Sequence, residues 1–308
     1  MSPSSWRISG RSLPLDEPLV MGILNVTPDS FSDGGELQSV SDVLRRGEAM
    51  ARAGAGILDV GGESTRPGAP AVPLEEELRR VVPVIEALAR KLALPISVDT
   101  RKAGVARRAL EAGAGVVNDV SGLTFDREMA PLVARTGAGL VIMHMRGTPA
   151  DMRTRARYQD LVAEVIRELL QSVERARAAG VPDDAVVLDP GIGFAKNRSQ
   201  SLELLAELPR LAALGFPVLV GPSRKSFLGE LLDLPPEERV VGSAVSCALA
   251  WERGARIFRV HDVEETVQAL SVARAITKAS ASGDPPGSAG VVHSGARSGS
   301  RMVEDISQ

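Results

Sequence analysis

VMGILNVTPDSFSDGG, residues 20–35, decides the fold. With Leu19 before it, the stretch begins as an apolar run to Leu24, the length and composition of a fully buried strand. The run stops at Asn25 and turns into Thr27–Gly35, too rich in Pro, Gly, Asp and Ser to continue a strand or start a helix. A buried strand that delivers an amide side chain and then a long polar loop is how a parallel α/β protein builds a site. An ordinary strand with a surface turn is the plainer alternative on this stretch alone.

Moving outward, the same unit recurs. Short apolar runs are expected as strands at Ile57–Val60, Pro95–Val98, Gly115–Val117, Gly139–Met143, Ala185–Leu188, Pro217–Val220 and Arg256–Phe258. Between them helical spacing is expected over Ser41–Gly54, Leu74–Leu92, Lys102–Ala112, Arg127–Thr136, Tyr158–Ala179, Ser199–Leu214 with a break near Pro209, Glu237–Gly254 and Val263–Lys278. Eight strand–helix units in series match a (β/α)8 TIM barrel, whereas a doubly wound sheet would use fewer strands. Residues 1–18 are expected to cap the bottom of a barrel spanning 19–278. The Gly/Ser/Pro-rich segment 279–308 reads as a disordered tail.

The 308 residues are 44% hydrophobic and 24% charged, enough for a sizeable core. A net charge of −3 with no basic run argues against nucleic acid as a partner. Cys247 is the only cysteine and falls on an apolar helix face, so neither a disulfide framework nor a thiolate metal cluster is available. No apolar run approaches a membrane span and Met1–Pro18 has no signal-type core, so no membrane partner and a cytoplasmic location are expected.

In such barrels the chemistry sits where strands end. Those positions hold Asn25, the run Glu63–Arg66, Asp99, Asn118, His144, Asp189, Lys225, and Arg259 with His261. Each has a dull explanation by itself: an Asp after a strand is often a helix cap, an Asn a turn residue, a lone His a satisfied core residue. Together they divide by chemistry. Asp99, Asn118 and Asp189 can pair with the edge of a planar heterocycle carrying amino and ring N–H groups, and buried carboxylates need such a partner. Asn25, Thr65, Arg66, Arg259 and His261 come from strands one, two and eight and suit a phosphate or diphosphate, with Lys225 beside them. The run Gly191–Lys196 lacks the third glycine of a nucleotide fingerprint, and no paired Cys/His zinc ligands occur. A hard cation such as Mg2+, held by Asn25 and the ligand's own phosphates, fits the set.

The runs GILNVTPDSFSDGG, GAGILDVGGESTRPGA, ISVDTRK, NDVSG, HMRGTPADM, LDPGIGFAK, GPSRKSFLG and RVHDV occur in that order. The chain from Leu19 to Lys278 thereby resembles the dihydropteroate synthase family, the folate-pathway enzymes inhibited by sulfonamides. The resemblance implies condensation of 6-hydroxymethyl-7,8-dihydropterin diphosphate with 4-aminobenzoate, giving 7,8-dihydropteroate and diphosphate. It implies that Asp99, Asn118, Asp189 and Lys225 hold the pterin, and that Thr65, Arg66, Arg259 and His261 hold the diphosphate with Mg2+ at Asn25. Phe31, Pro67, Phe194 and Ser226 would line the aminobenzoate pocket. Arg66, Lys225, Arg259 and His261 carry the expected catalytic charge, and Thr27–Gly35 is expected to be a lid that orders over substrate. Ala195 stands where the family commonly has glycine, and Ser201 where many members have Asn. A homodimer is implied as well, through the small-residue faces of the last two helices. Two other readings share the pocket acids: a corrinoid-dependent methyltransferase barrel, which needs no diphosphate pocket, and a pterin-binding paralogue without activity. The STRPG and RVH runs speak against the first.

Overall fold

The computed structural model describes residues 3–26, 35–66 and 68–282. Its first pair of strands, β1 (Ser5–Ile8) and β2 (Arg11–Pro14), forms an antiparallel hairpin. The remaining strands are β3 (Leu19–Asn25), β4 (Ile57–Gly61), β5 (Ile96–Asp99), β6 (Val116–Asp119), β7 (Gly139–Met143), β8 (Val186–Asp189), β9 (Leu219–Val220) and β10 (Ile257–Val260). They form one 8-stranded sheet in the order β8-β7-β6-β5-β4-β3-β10-β9, with every pairing parallel. A parallel bridge between Leu188 and Val218 joins the two edges, so the sheet closes into the expected TIM barrel.

Helices cover the outside: α1 (Gly35–Arg52), α2 (Leu74–Lys91), α3 (Ala103–Glu111), α4 (Met129–Thr136), α5 (Leu161–Ala178), α6 (Arg198–Ala206), α7 (Leu208–Ala212), α8 (Ser226–Leu232), α9 (Val240–Glu252) and α10 (Val263–Ser282). Helix α2 shows why they form. Glu75, Glu76 and Glu77 sit in its first turn and Arg90 and Lys91 in its last, complementing the helix dipole, while Val81, Val84, Ile85 and Leu88 bury one face. Several bounds differ from those read off the sequence. Helix α1 starts at Gly35 rather than Ser41, the break expected near Pro209 falls at Glu207, and α10 runs to Ser282. Helix α8 was not expected, because its seven residues carry too short a pattern to stand out from the preceding loop. Of the expected lid Thr27–Gly35, residues 27–34, Phe31 among them, lie outside the described residues, as does the segment beyond Ser282, while Gly35 is the first residue of α1.

Two cores result. The larger fills the space between barrel and helices. The smaller plugs the barrel floor, where Trp6, Ile8 and Leu15 from the hairpin region meet Met21, Ile57, Val116, Val141, Val187, Leu219 and Ile257. Trp6 is fully buried and donates its indole N–H to Ala185 O at 2.8 Å, so its one polar atom is satisfied inside the plug.

Candidate active site

Strand alternation converts the floor into a site. Because successive side chains point to opposite faces, the residues two places after the floor residues also face the barrel interior. From Ile57, Val116, Val187 and Ile257 that step reaches Asp59, Asn118, Asp189 and Arg259. The parallel register sets Asp59 beside Ser97, and Asp99 beside Gly61 and Asn118. Asp59, which reading strand ends did not single out, is therefore a site residue. Its sequence signal was a lone carboxylate inside the apolar run Ile57–Val60, in phase with the inward face.

Asp59 is fully buried and is the hub of the interior polar cluster. Its Oδ2 accepts from Arg259 Nε at 2.6 Å and from Asn118 Nδ2 at 3.0 Å. Arg259 also donates to Asp99 Oδ2 at 2.7 Å. Burial, together with the neighbouring Asp59, outweighs the pull of Arg259 and lifts the Asp99 carboxyl to about 7. Burial likewise raises the Asp189 carboxyl, against the charge of Lys225 and a 2.7 Å hydrogen bond from Gly191 N. Two buried side-chain atoms among the described residues have no hydrogen-bond partner, Asp59 Oδ1 and Ser97 Oγ, and both belong to register-paired residues of this cluster.

The expected division between heterocycle and anion groups needs one correction. Arg259 was assigned to the anion pocket at the rim, but its guanidinium is bound inside the barrel by Asp59 and Asp99, which neutralise much of its charge. Its position on β10 is two residues short of His261, one turn of the pleat deeper. The groups left near the rim are Thr65, Arg66 and His261. Arg66 is exposed, and its charge, after those of Arg259 and Arg224, helps hold the His261 imidazole down at about 4, where burial is the largest cause. The ring is therefore neutral near pH 7. Ser223 Oγ accepts from the His261 backbone N–H at 3.2 Å and lies 3.0 Å from Nδ1. A hydroxyl can donate to a ring nitrogen or accept from one, so this contact orients the neutral ring in either tautomer. The loop bearing Thr65 and Arg66 is pinned at its start, since Glu63 is salt-bridged to Arg101 at 2.7 Å and to Lys102.

Lys225 sits on the heterocycle side. Its ammonium donates to Ile192 O and lies 4.6 Å from the centre of the Phe194 ring. Burial lowers it to about 8 against the charge of Asp189. Ser226 is exposed at the first position of α8, and Phe194 is half-buried on the loop after β8. Pro67, like Phe31, lies outside the described residues. Asn25 ends β3 with its side chain near Gly61, where an added Cβ would lie 3.8 Å from Asn25 Oδ1 and 3.5 Å from Asp99 Cβ. Among the described residues no group of three or more His, Cys, Asp or Glu could hold a metal ion. A neutral amide oxygen alone fits only a hard cation that brings its other ligands with it.

Residues 21–261 match the model of the pterin binding enzyme family. A dihydropteroate synthase of Synechocystis sp. is 51% identical over 258 residues, covering 83% of this chain and 89% of that protein. The chain belongs to the dihydropteroate synthase family. Among solved structures of that family, Xanthomonas albilineans dihydropteroate synthase with 4-aminobenzoic acid is 49% identical, with a TM-score of 0.84 over 90% of this chain and 99% of that one. The same bacterium's enzyme in complex with 7,8-dihydropteroate gives 43% identity and a TM-score of 0.79 over 89% and 99%. The dihydropteroate synthase family match thus runs from within β3 to just past the end of β10.

Proposed function

We infer that this chain is a transferase that joins 4-aminobenzoate to 6-hydroxymethyl-7,8-dihydropterin diphosphate, forming 7,8-dihydropteroate and releasing diphosphate. The observation that carries the reading is the buried cluster of Asp59, Asp99, Asn118 and Asp189 with Arg259 and Lys225, inside a dihydropteroate synthase-family barrel. A heterocycle with an amino group and ring N–H donors supplies what these acceptors lack, while Lys225 and Arg259 balance their charge.

The chemistry follows from the charge layout. Displacement at the pterin methylene builds negative charge on the departing diphosphate, and the arylamine nucleophile is neutral. The main demand is stabilising the leaving group rather than removing a proton. Arg66 supplies a full charge at the rim, His261 adds a neutral imidazole, and Thr65 adds a hydroxyl. Arg259, paired with two acids, orients the pterin and lends only part of its charge to the anion. Phe194 and Ser226 stand on the arylamine side of the site. Mg2+ held by Asn25 and the diphosphate would, when bound, neutralise the leaving group further.

Incubation with pterin diphosphate, Mg2+ and labelled 4-aminobenzoate tests the reading: labelled dihydropteroate is the expected product. Its absence sinks the assignment, and a requirement for EDTA-removable metal checks the Mg2+ part. A cytoplasmic location belongs to the same proposal, since a multiply charged diphosphate does not cross a bilayer unaided. A homodimer does too. Val241, Val245 and Leu249 line one stripe of α9 and Val272 and Ile276 one of α10; all five are exposed, and the two helices pack side by side. Light scattering at micromolar concentration should give twice the chain mass, and a monomer would dispose of this part.

A further inference from the structure

The loop from Gly191 to Lys196 leads from β8 to α6 and is held at two adjacent carbonyls. Lys196 Nζ donates to Phe194 O at 2.9 Å and makes a 2.9 Å hydrogen bond with His144 Nδ1. Tyr158 Oη donates to Ala195 O at 3.0 Å. These anchors are joined behind the loop. His144 Nε2 lies 3.0 Å from Glu168 Oε2, and Arg146 Nε donates to the same oxygen at 3.1 Å. The Arg146 guanidinium then lies 4.0 Å over the Tyr158 ring. The connections close on themselves, from Glu168 through His144 and Lys196 to the loop, and back through Tyr158 and Arg146.

Three features say that the ring constrains the loop rather than merely filling space. His144 and Lys196 are buried at 4% and 8% exposure, so two titratable groups occupy a position where aliphatic side chains would pack without desolvation cost. Ala195, between the two anchored carbonyls, has a φ of 49°, the left-handed region that disfavours any side chain. At the loop's other end Gly191 lies so close that an added Cβ would be 2.0 Å from His144 O. The segment presents Phe194 to Lys225, on the arylamine side of the site.

We propose that Glu168, His144, Lys196, Tyr158 and Arg146 are positioning residues that hold Phe194 in its pose and thereby set the affinity for the arylamine substrate. This rests on the reading of the reaction above. The interior pterin cluster is carried mainly by the strands, and the loop meets it at Gly191, whose N–H bonds Asp189, and at Ile192, whose carbonyl takes Lys225, so loosening the ring at Phe194 and Ala195 acts chiefly on the arylamine and less on the pterin.

Steady-state kinetics of the full chain, varying each substrate in turn, tests this. Tyr158→Phe removes one hydroxyl and should raise KM for 4-aminobenzoate about fivefold, with kcat and KM for the pterin diphosphate changed by less than about twofold. Glu168→Gln touches no atom of the loop, yet should move the same constant in the same direction; a purely local bond at Ala195 would leave it alone. An unchanged 4-aminobenzoate KM in Tyr158→Phe, or equal rises for both substrates, overturns the proposal. Should Glu168→Gln fail to fold, Tyr158→Phe decides alone. A wild-type chain that forms no dihydropteroate refutes the reaction reading, and the ring proposal falls with it.

Discussion

Replacing Asp59 with Ala should cost most of what a buried charge pair can cost. Asp59 Oδ2 takes hydrogen bonds from Arg259 at 2.6 Å and Asn118 at 3.0 Å. Losing it leaves Arg259 hydrogen-bonded to Asp99 and takes away the acceptor of the Asn118 amide N–H. Removing one member of a buried pair costs about 3–5 kcal/mol, which bounds the effect. Relief of the repulsion that Asp59 exerts on Asp99 offsets part of it, placing the loss near 4 kcal/mol, within the same range. With a urea slope of about 3 kcal/mol/M, the unfolding midpoint of the ligand-free chain should fall by about 1.3 M. Asp59→Asn keeps an acceptor for one of the two donors and should fall roughly half as far. Since the Asp59 charge helps raise Asp99, Asp59→Asn should also move the acid limb of pterin binding to lower pH. A midpoint within 0.3 M of wild type, about 1 kcal/mol at that slope, would refute the view of Asp59 as the hub.

Three further outcomes are expected. Ser223→Ala removes the hydroxyl that orients the His261 ring and should lower kcat about tenfold, with Ser223→Thr restoring it; an unchanged kcat in Ser223→Ala would contradict that orienting role. Lys196, lowered to about 7 by burial, binds fewer protons folded than unfolded between pH 7 and 10.5, so its contribution to stability rises with pH across that window. The stability of wild type relative to Lys196→Met should accordingly grow by about 3 kcal/mol between pH 7 and 9.5, and a flat difference in urea titrations would count against it. Trp6→Ala empties the floor plug and should cost about 3–5 kcal/mol, read as a drop in thermal midpoint, whereas an unchanged midpoint would show the hairpin to be dispensable.

The repeat of apolar run, polar strand end and helical spacing was enough to specify a parallel barrel, because period-two and period-3.6 patterns are local properties of a chain. The same reading singled out Asp99, Asn118, Asp189, Lys225 and His261, polar groups at or just past the ends of their strands. Asp59 was missed for a physical reason. It lies inside its strand, and its importance arises only when barrel closure brings Arg259, two hundred residues later in the chain, against it. Arg259 was found but placed at the rim, since its depth depends on the register of β10 against β3 and β9, which no local pattern encodes.

VMGILNVTPDSFSDGG is still where the fold is most plainly written: its first half is β3, buried from Val20 to Leu24 and ending at Asn25. Element type, order and strand-end chemistry were determined by the sequence itself. The tertiary structure alone decided which carboxylate shares Arg259, which hydroxyl orients the His261 ring, and how five side chains from α5 and the loops after β7 and β8 close behind Phe194. Those are contacts between residues distant in sequence, fixed by burial and by the need of every buried donor and acceptor for a partner.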